Sequence, residues 1–370
     1  MRTLKTPLND FTLSYPLEKL APLSEVLFLD IETTGFSAAS SSLYLIGCIY
    51  YEAGCFHLIQ WFSRCEDEER EILAAFFKFA EKKRLLIHFN GNTFDLPFLL
   101  RKCEQYELTA SFDHLEGIDL YRRISPYRDM LGLADCKQRT LEEFLGLHRV
   151  DPFHGGELIQ VYKDYLKEPT DVAYHALMQH NADDMRGMLS LLPLLSYSDL
   201  FAGKLRIKKA QANYYQDKDG SRRQELLLKG KLLTPLPSPV SCHAEGCYLS
   251  AEGTAFSLHV PIYEEEMKYF YSNYQDYYYL PAEDTALHRS VAVFVDKARR
   301  EKAHAYNCYT RKRSSYLPQW DVLFTPFFKR SYDSSELFFE LTEERKSDRD
   351  TFTRYTTHIM QMLFQNMKRP

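Results

Sequence analysis

A chain of 370 residues, 45% hydrophobic and 26% charged, is long enough to bury two domain cores and has the balance of a folded soluble protein. It holds no uninterrupted apolar run of about 18 residues, so no membrane span is expected. Its first twenty residues lack an apolar stretch before a small-residue cleavage site, so a cytoplasmic location is expected rather than secretion. The eight cysteines form no CxxC pair and read as reduced thiols. The tightest group, Cys242, His243 and Cys247, is a partial zinc set without a second ligand pair.

The net charge of −5 is spread unevenly: residues 1–200 carry 20 basic against 30 acidic side chains, and residues 201–370 carry 26 against 21. An acidic half beside a basic half fits a metal-binding catalytic domain next to one that meets phosphates, or ordinary scatter.

In chain order, Glu25 to Asp30 reads as a buried strand, and Leu43 to Tyr51 and Phe56 to Phe62 as two more, joined by a hairpin turn at Glu52-Ala53-Gly54. Apolar residues 72, 73, 76, 77 and 79 give Asp67 to Lys83 a helical face. Arg84 to Asn90 is a fourth strand. Asp95 to Tyr106 is a helix with Asp95 as its N-cap, and Glu116 to Leu120 is a short fifth strand. Short helices follow at 141–145 and 158–166, then a longer one from Val172 to Leu195. Beyond it the character changes. Residues 232–240 are proline-rich, tyrosines crowd at 269–279, and Pro281 to Ala303 reads as a helix with Leu287, Val291, Phe294, Val295 and Ala298 on its apolar face. This divides the chain into an extension at 1–24, a domain at 25–197 and a C-terminal α+β region at 198–370.

Asp30-Ile31-Glu32 closes the first strand, and residues two apart on a strand point the same way. Two carboxylates on one face at the end of a buried strand are costly without a counter-charge, and a divalent cation is a natural partner. Two solvated acids at a strand end are the alternative. A third acid, Asp95, stands where a helix begins. His180 and Asp184, four apart, share a helix face, whereas Asp183 points about 100° away.

Leu27 to Phe36 closely resembles the first motif of the DEDD exonucleases, which are built on the ribonuclease H fold. His88 to Phe98 resembles the second, and His180-Asn181-Ala182-Asp183-Asp184 the third. One branch of that family has Tyr-x3-Asp and another His-x4-Asp; here a histidine stands at the tyrosine spacing. With Gly117 to Arg123, Thr140 to Arg149, Asp151 and Gly155-Gly156, the segment 25–195 resembles the YprB-type bacterial branch. The resemblance implies a mixed α/β sheet, its first three strands antiparallel and the rest parallel, flanked by helices. It also implies metal-dependent 3′→5′ hydrolysis of single-stranded nucleic acid, DNA or RNA, at a free 3′ end.

By the same resemblance, Asp30, Glu32, Asp95 and Asp184 hold two Mg²⁺ or Mn²⁺ ions, Asp30 bridging them. His180 is the candidate general base or water-orienting residue, or only a hydrogen-bonding one. Thr33, Phe36, Asn90 and Asn92 lie near the terminal nucleotide by analogy. Arg299, Arg300, Arg311 and Arg313, with tyrosines interleaved, form a candidate phosphate-binding surface. A structure-selective endonuclease on the same fold and a catalytically silent adaptor are the rival functions.

Overall fold

The protein is described from a computed structural model covering residues 1–9, 11–148, 155–216 and 219–367; Asp151 lies outside the described residues. The chain divides into two compact units, residues 1–198 with 234–237 and residues 199–233 with 238–370.

The first unit is a six-stranded sheet. Its strands are β1 (Arg2–Leu8), β2 (Val26–Thr33), β3 (Leu43–Glu52), β4 (Cys55–Phe62), β5 (Leu85–His88) and β6 (Glu116–Asp119), in the order β1-β4-β3-β2-β5-β6. Strands β2, β3 and β4 pair antiparallel, and β5 and β6 continue parallel from β2. This is the mixed sheet expected from the sequence. The β3–β4 hairpin turns at Ala53 and Gly54, both at positive φ (52° and 91°), the geometry that fits the twist of a two-residue hairpin loop.

The sequence reading places no element in residues 1–24, yet β1 pairs with β4 along Arg2–Leu8. Its side chains are largely exposed and it contains Pro7. An edge strand needs neither an apolar run nor a full set of amide donors, so periodicity does not reveal it.

The helices are α1 (Glu69–Ala80), α2 (Asp95–Gln105), α3 (Leu120–Ile124), α4 (Gln138–Phe144), α5 (Gly155–Lys167), α6 (Asp171–Ser190) and α7 (Leu195–Phe201). They cover both faces of the sheet. Leu27, Leu29 and Ile31 of β2 pack with Ile72, Leu73 and Phe76 of α1 and with Phe98 and Leu99 of α2. On the opposite face Tyr44, Leu45 and Phe62 pack with Leu158 and Tyr162 of α5 and with Leu177 and Met178 of α6; the Tyr44 and Tyr162 rings stack at 4.2 Å. Strand alternation therefore sends Asp30 and Glu32 to the α6 side. A buried ion pair, Lys102 to Glu69 at 3.0 Å, joins α2 to α1. Glu69 also accepts from the Tyr106 hydroxyl (2.6 Å) and the Leu43 amide (2.5 Å), so the buried carboxylate is fully engaged.

The second unit is built on β11 (Ala255–Phe270). With β7 (Leu205–Gln216), β8 (Arg222–Leu232), β9 (Val240–Ala244), β10 (Cys247–Glu252), β15 (Tyr309–Gln319), β16 (Phe327–Phe328) and β17 (Leu337–Glu340) it forms an eight-stranded antiparallel sheet. A small sheet joins β12 (Tyr277–Leu280), β13 (Thr285–His288) and β14 (Glu301–Lys302); the helices are α8 (Arg289–Ala292), α9 (Glu343–Ser347) and α10 (Arg349–Met367). No helix among the described residues is long and apolar enough to cross a membrane.

The helix expected over 281–303 is not formed. Asp284 sits at φ 47°, accepting hydrogen bonds from the Tyr279 (2.7 Å) and Tyr309 hydroxyls. Thr285–His288 then pairs back onto Tyr277–Leu280, and only Arg289–Ala292 is α-helical, with a single 3-10 turn at Lys297–Arg299. A left-handed residue anchored from two sides cannot continue a right-handed helix. Val291 and Phe294, assigned to its buried face, are 54% and 88% exposed.

Candidate active site

The two acids of β2 stand where the strand's ladder to β3 ends: the register shifts between Glu32 and Thr33. Across from them, α6 presents His180 and Asp184. His180 Nε2 lies 3.9 Å from Glu32 Oε1 and 3.4 Å from Asp184 Oδ2. Ligand atoms of Glu32, His180 and Asp184 all fall within 4.8 Å of one another, a set able to hold a cation. Tyr44 donates to Glu32 Oε2 at 3.5 Å. Asp183 is engaged on the helix surface by Gln179 (2.7 Å) and Arg186 (3.8 Å), as expected from its angle on the helix.

Asp30 is positioned by side chains that the sequence reading did not single out. Asn181 Nδ2 donates to Asp30 Oδ2 at 2.8 Å, and Gln60 Nε2 donates to Asn181 Oδ1 at 2.9 Å and to the Met178 carbonyl at 2.9 Å. Asp30, Gly47 and Gln60 lie side by side on β2, β3 and β4. Gly47 is the gap in that row. A Cβ there would lie 2.1 Å from Asn181 Oδ1, so its missing side chain makes room for the carboxamide that orients Asp30. A glycine in the middle of a strand marks such a close approach; the partner that approaches is visible only in three dimensions.

Asp95 reaches the same site from α2. It is the first helical residue, not the N-cap: Phe94 occupies the cap position with no side-chain bond. The Asp95 carboxylate is instead steadied by the Ile31 amide and its own amide. Beneath it, buried Asp119 accepts from the Asn90 amide at 2.9 Å and caps α3 through the Arg122 amide at 3.3 Å. Among the described residues Asp119 Oδ2 and His88 Nε2 are buried without a hydrogen-bond partner.

The remaining candidates divide. Phe36 is 92% exposed and meets Phe94 edge-on at 6.0 Å, open to a base. Thr33 turns back to the Gly35 carbonyl at 2.9 Å. Asn90 holds a positive φ of 59° at the turn before α2, and Asn92 is exposed. In the second unit Arg311 is paired with Asp284 (3.5 Å) and Glu266 (3.9 Å). Arg300 donates to the Ala292 carbonyl and lies 4.8 Å over the Tyr278 ring. Arg299 and Arg313 are exposed. The structure thus ties down two of the four arginines. Cys242 and His243, adjacent on β9, point to opposite faces, a poor start for a zinc set.

Burial and mutual repulsion dominate the electrostatics of the acid cluster. Burial pushes the Asp30 carboxyl well above the usual range, and Asp184, Glu32 and Asp95 push it further, against the Asn181 hydrogen bond. Burial raises Glu32 from 4.5 to about 8, opposed by His180 and reinforced by Asp184. Burial likewise raises Asp95 from 3.8 to about 7. Each folded-state value exceeds its unfolded one, so without a cation the folded protein keeps protons that the unfolded chain releases. Stability from these groups is therefore lost as pH rises from about 4.5 to about 8. Melting in EDTA is expected to fall by roughly 5 °C between the two ends of that window. Glu32→Gln should flatten the slope, and Mn²⁺ should restore the melting temperature at the alkaline end. A melting temperature that climbs with pH in EDTA would contradict the burial of these acids.

Sequence comparison agrees with this layout. Residues 27–196 match the RNase_H superfamily. The matched segment runs from β2 past the end of α6, so it carries all four acids and His180, and its mixed sheet flanked by helices is ribonuclease H-like. No curated protein matches the chain. Among solved structures, a family B DNA polymerase from the archaeon Pyrobaculum calidifontis aligns over 92% of this chain and 46% of its own, at 13% identity and TM-score 0.42. E. coli exonuclease I in complex with a dA16 oligonucleotide aligns over 61% of this chain and 54% of its own, at 11% identity and TM-score 0.28. The chain thus spans about half the length of each.

Proposed function

We propose that this chain is a metal-dependent exonuclease that hydrolyses single-stranded nucleic acid from the 3′ end, in the manner of the DEDD and YprB-type enzymes its motifs resemble. The observation that carries the reading is the grouping of Glu32, His180 and Asp184, their ligand atoms within 4.8 Å of one another, with Asp30 and Asp95 near enough to act on these acids electrostatically. Two of those carboxyls are pushed to about 7 and about 8. Nothing in packing requires so costly a cluster, and its oxygen donors suit Mg²⁺ or Mn²⁺.

Bound divalent ions would supply an activated water and neutralise charge on the scissile phosphate. The chain's own side chains do the rest. Asp30, Glu32 and Asp184 are the proposed ligands, with Asp95 supporting from α2. Asn181 and Gln60 fix the Asp30 carboxylate. His180, within reach of Glu32 and Asp184, orients or deprotonates the attacking water. Phe36 stacks on the terminal base.

The test is degradation of 3′- and 5′-labelled single strands of DNA and RNA, with and without Mn²⁺, beside a circular single strand. Metal-dependent release of mononucleotides from the 3′ end, with the circle intact, is the expected result. Cutting of the circle would make the protein an endonuclease. Folded, metal-loaded protein inert on every substrate would leave it a binding or adaptor protein.

A further inference from the structure

Strands β7 to β10 and the first half of β11 in the second unit turn one face inward: Leu226, Leu228, Leu249, Leu258 and Val260 are buried. The residues alternating with them point the other way and are more exposed, apart from Leu227, which is buried as well. The pairing registers set one row across five strands of that open face: Lys209 opposite Lys229, Lys229 opposite Ser257, Ser257 opposite Ser250, and Ser250 opposite Ser241. A second row sets Arg206 opposite Lys231. Like charges directly opposite each other in an antiparallel pair destabilise it. Here it happens twice in succession, with Lys208 at the register shift between them.

Among the described residues no carboxylate lies within ion-pair distance of Arg206, Lys209, Lys229 or Lys231. Two acids share this face: Glu225 is held by His259 and Asn213, each at 3.0 Å, and Glu252 stands two strands from Lys231 in the Arg206–Lys231 row. Neither forms an ion pair with these cations, so the repulsion within the two facing pairs is not paired off by a contact on the face. A depression of about 470 Å³ lies on this face, lined by Lys229, Ser241, Ser250, Ser257 and Glu252 among others. One row further along, Tyr248 (45% exposed) and His259 present rings 6.0 Å apart, with His243 in register beside Tyr248.

We propose that this open face, from β7 across to β9, binds the sugar-phosphate backbone of single-stranded nucleic acid. The choice of ligand rests on the nuclease reading above. Paired cations at one end take phosphates, the serine hydroxyls donate to phosphate oxygens, and the rings of Tyr248, His259 and His243 offer stacking surfaces. Strand spacing of about 4.8 Å makes the row roughly 19 Å long, room for several phosphates. A run of hydroxyls with rings beside it, continuing from the paired cations, favours a nucleic-acid strand over a lipid surface, which would meet cations without a use for the serine row.

The experiment uses the full chain in EDTA, where no cleavage occurs, and follows binding of a fluorescent single-stranded oligonucleotide against salt. Lys209→Gln/Lys229→Gln is expected to weaken binding about tenfold and to reduce the slope of log affinity against log salt by about 1.4, two phosphate contacts' worth. Lys167→Gln/Lys346→Gln, two lysines each paired with an acid on its own helix (Asp164 at 3.1 Å and Glu343 at 2.6 Å), should leave both nearly unchanged. In a separate assay with Mn²⁺, hydrolysis of the p-nitrophenyl ester of thymidine 5′-monophosphate, a single nucleotide with no strand to bind, should be the same in wild type and both variants. Unchanged oligonucleotide binding in the lysine variant overturns the proposal. So does loss of binding to anionic vesicles with oligonucleotide binding intact, or a parallel loss of ester hydrolysis. Failure of the wild type to hydrolyse the ester, with lysine-dependent oligonucleotide binding retained, would count against the nuclease reading alone.

Discussion

Asp30→Asn is expected to abolish metal-dependent nucleotide release, with kcat down about 10³-fold or more, while the protein stays folded. The substitution removes one charge from the proposed centre but keeps the shape, and Asn181 can still bond to the remaining oxygen. A metal contributes several kcal/mol of transition-state stabilisation, and each 1.4 kcal/mol is a factor of about ten. Relieving the repulsion among Asp30, Glu32, Asp95 and Asp184 should also raise the melting temperature in EDTA. Loss of activity with a gain in metal-free stability separates a functional carboxylate from a structural one. Asp183→Asn is the control: that side chain is bonded to Gln179 and Arg186 on the helix surface, so activity should stay within about twofold of wild type, since surface changes of this kind cost little. Equal activity of Asp30→Asn and Asp183→Asn would remove Asp30 from the mechanism.

Gly47→Ala is the second large effect. The added methyl meets Asn181 Oδ1 at 2.1 Å, and the neighbouring β2 and β4 leave it no room to shift. Overpacking of this kind costs about 1–3 kcal/mol. The larger consequence is expected in kcat, about 10²-fold, because Asn181 must move off Asp30 and small misplacements at a reacting centre are expensive. Pairing it with Asn181→Ala resolves the two effects. The double variant should recover most of the stability, since the clash is gone, and none of the activity, since Asp30 has lost its donor. Mn²⁺ affinity should fall in both. If Gly47→Ala retains wild-type kcat, the Gln60–Asn181–Asp30 chain has no positioning role.

The acids themselves were legible in the sequence because each lies on a locally decided element. The short apolar run Glu25–Asp30 reads as a buried strand, which puts Asp30 and Glu32 on one face by alternation, and a helix puts His180 and Asp184 on one face by its period. The strands β2 to β6 and the β3–β4 hairpin followed from apolar runs and turn residues for the same reason, whereas the parallel pairing of β5 and β6 was implied by the family resemblance. Local patterning failed where neighbours far along the chain decide. The stretch 281–303 has a helical spacing of apolar residues, but Tyr279 and Tyr309 anchor Asp284 at a left-handed turn, and pairing with β12 outweighs the local preference. Strand β1 exists because β4 offers an unpaired edge, a property of β4 and not of residues 2–8.

The same division runs through the function. Composition, periodicity and spacing determined by themselves a two-part chain whose first part carries acids at the end of a strand and along a helix face, since those depend only on residues near one another. Tertiary structure alone decided which groups serve those acids and where the second unit is left electrically unbalanced. Gly47, Gln60 and Asn181 meet through strand register and helix packing. Lys209 faces Lys229 because β7 and β8 pair with one residue bulged out. Register is set by burial of the opposite face and by turn geometry, so no count of charges along the chain contains it.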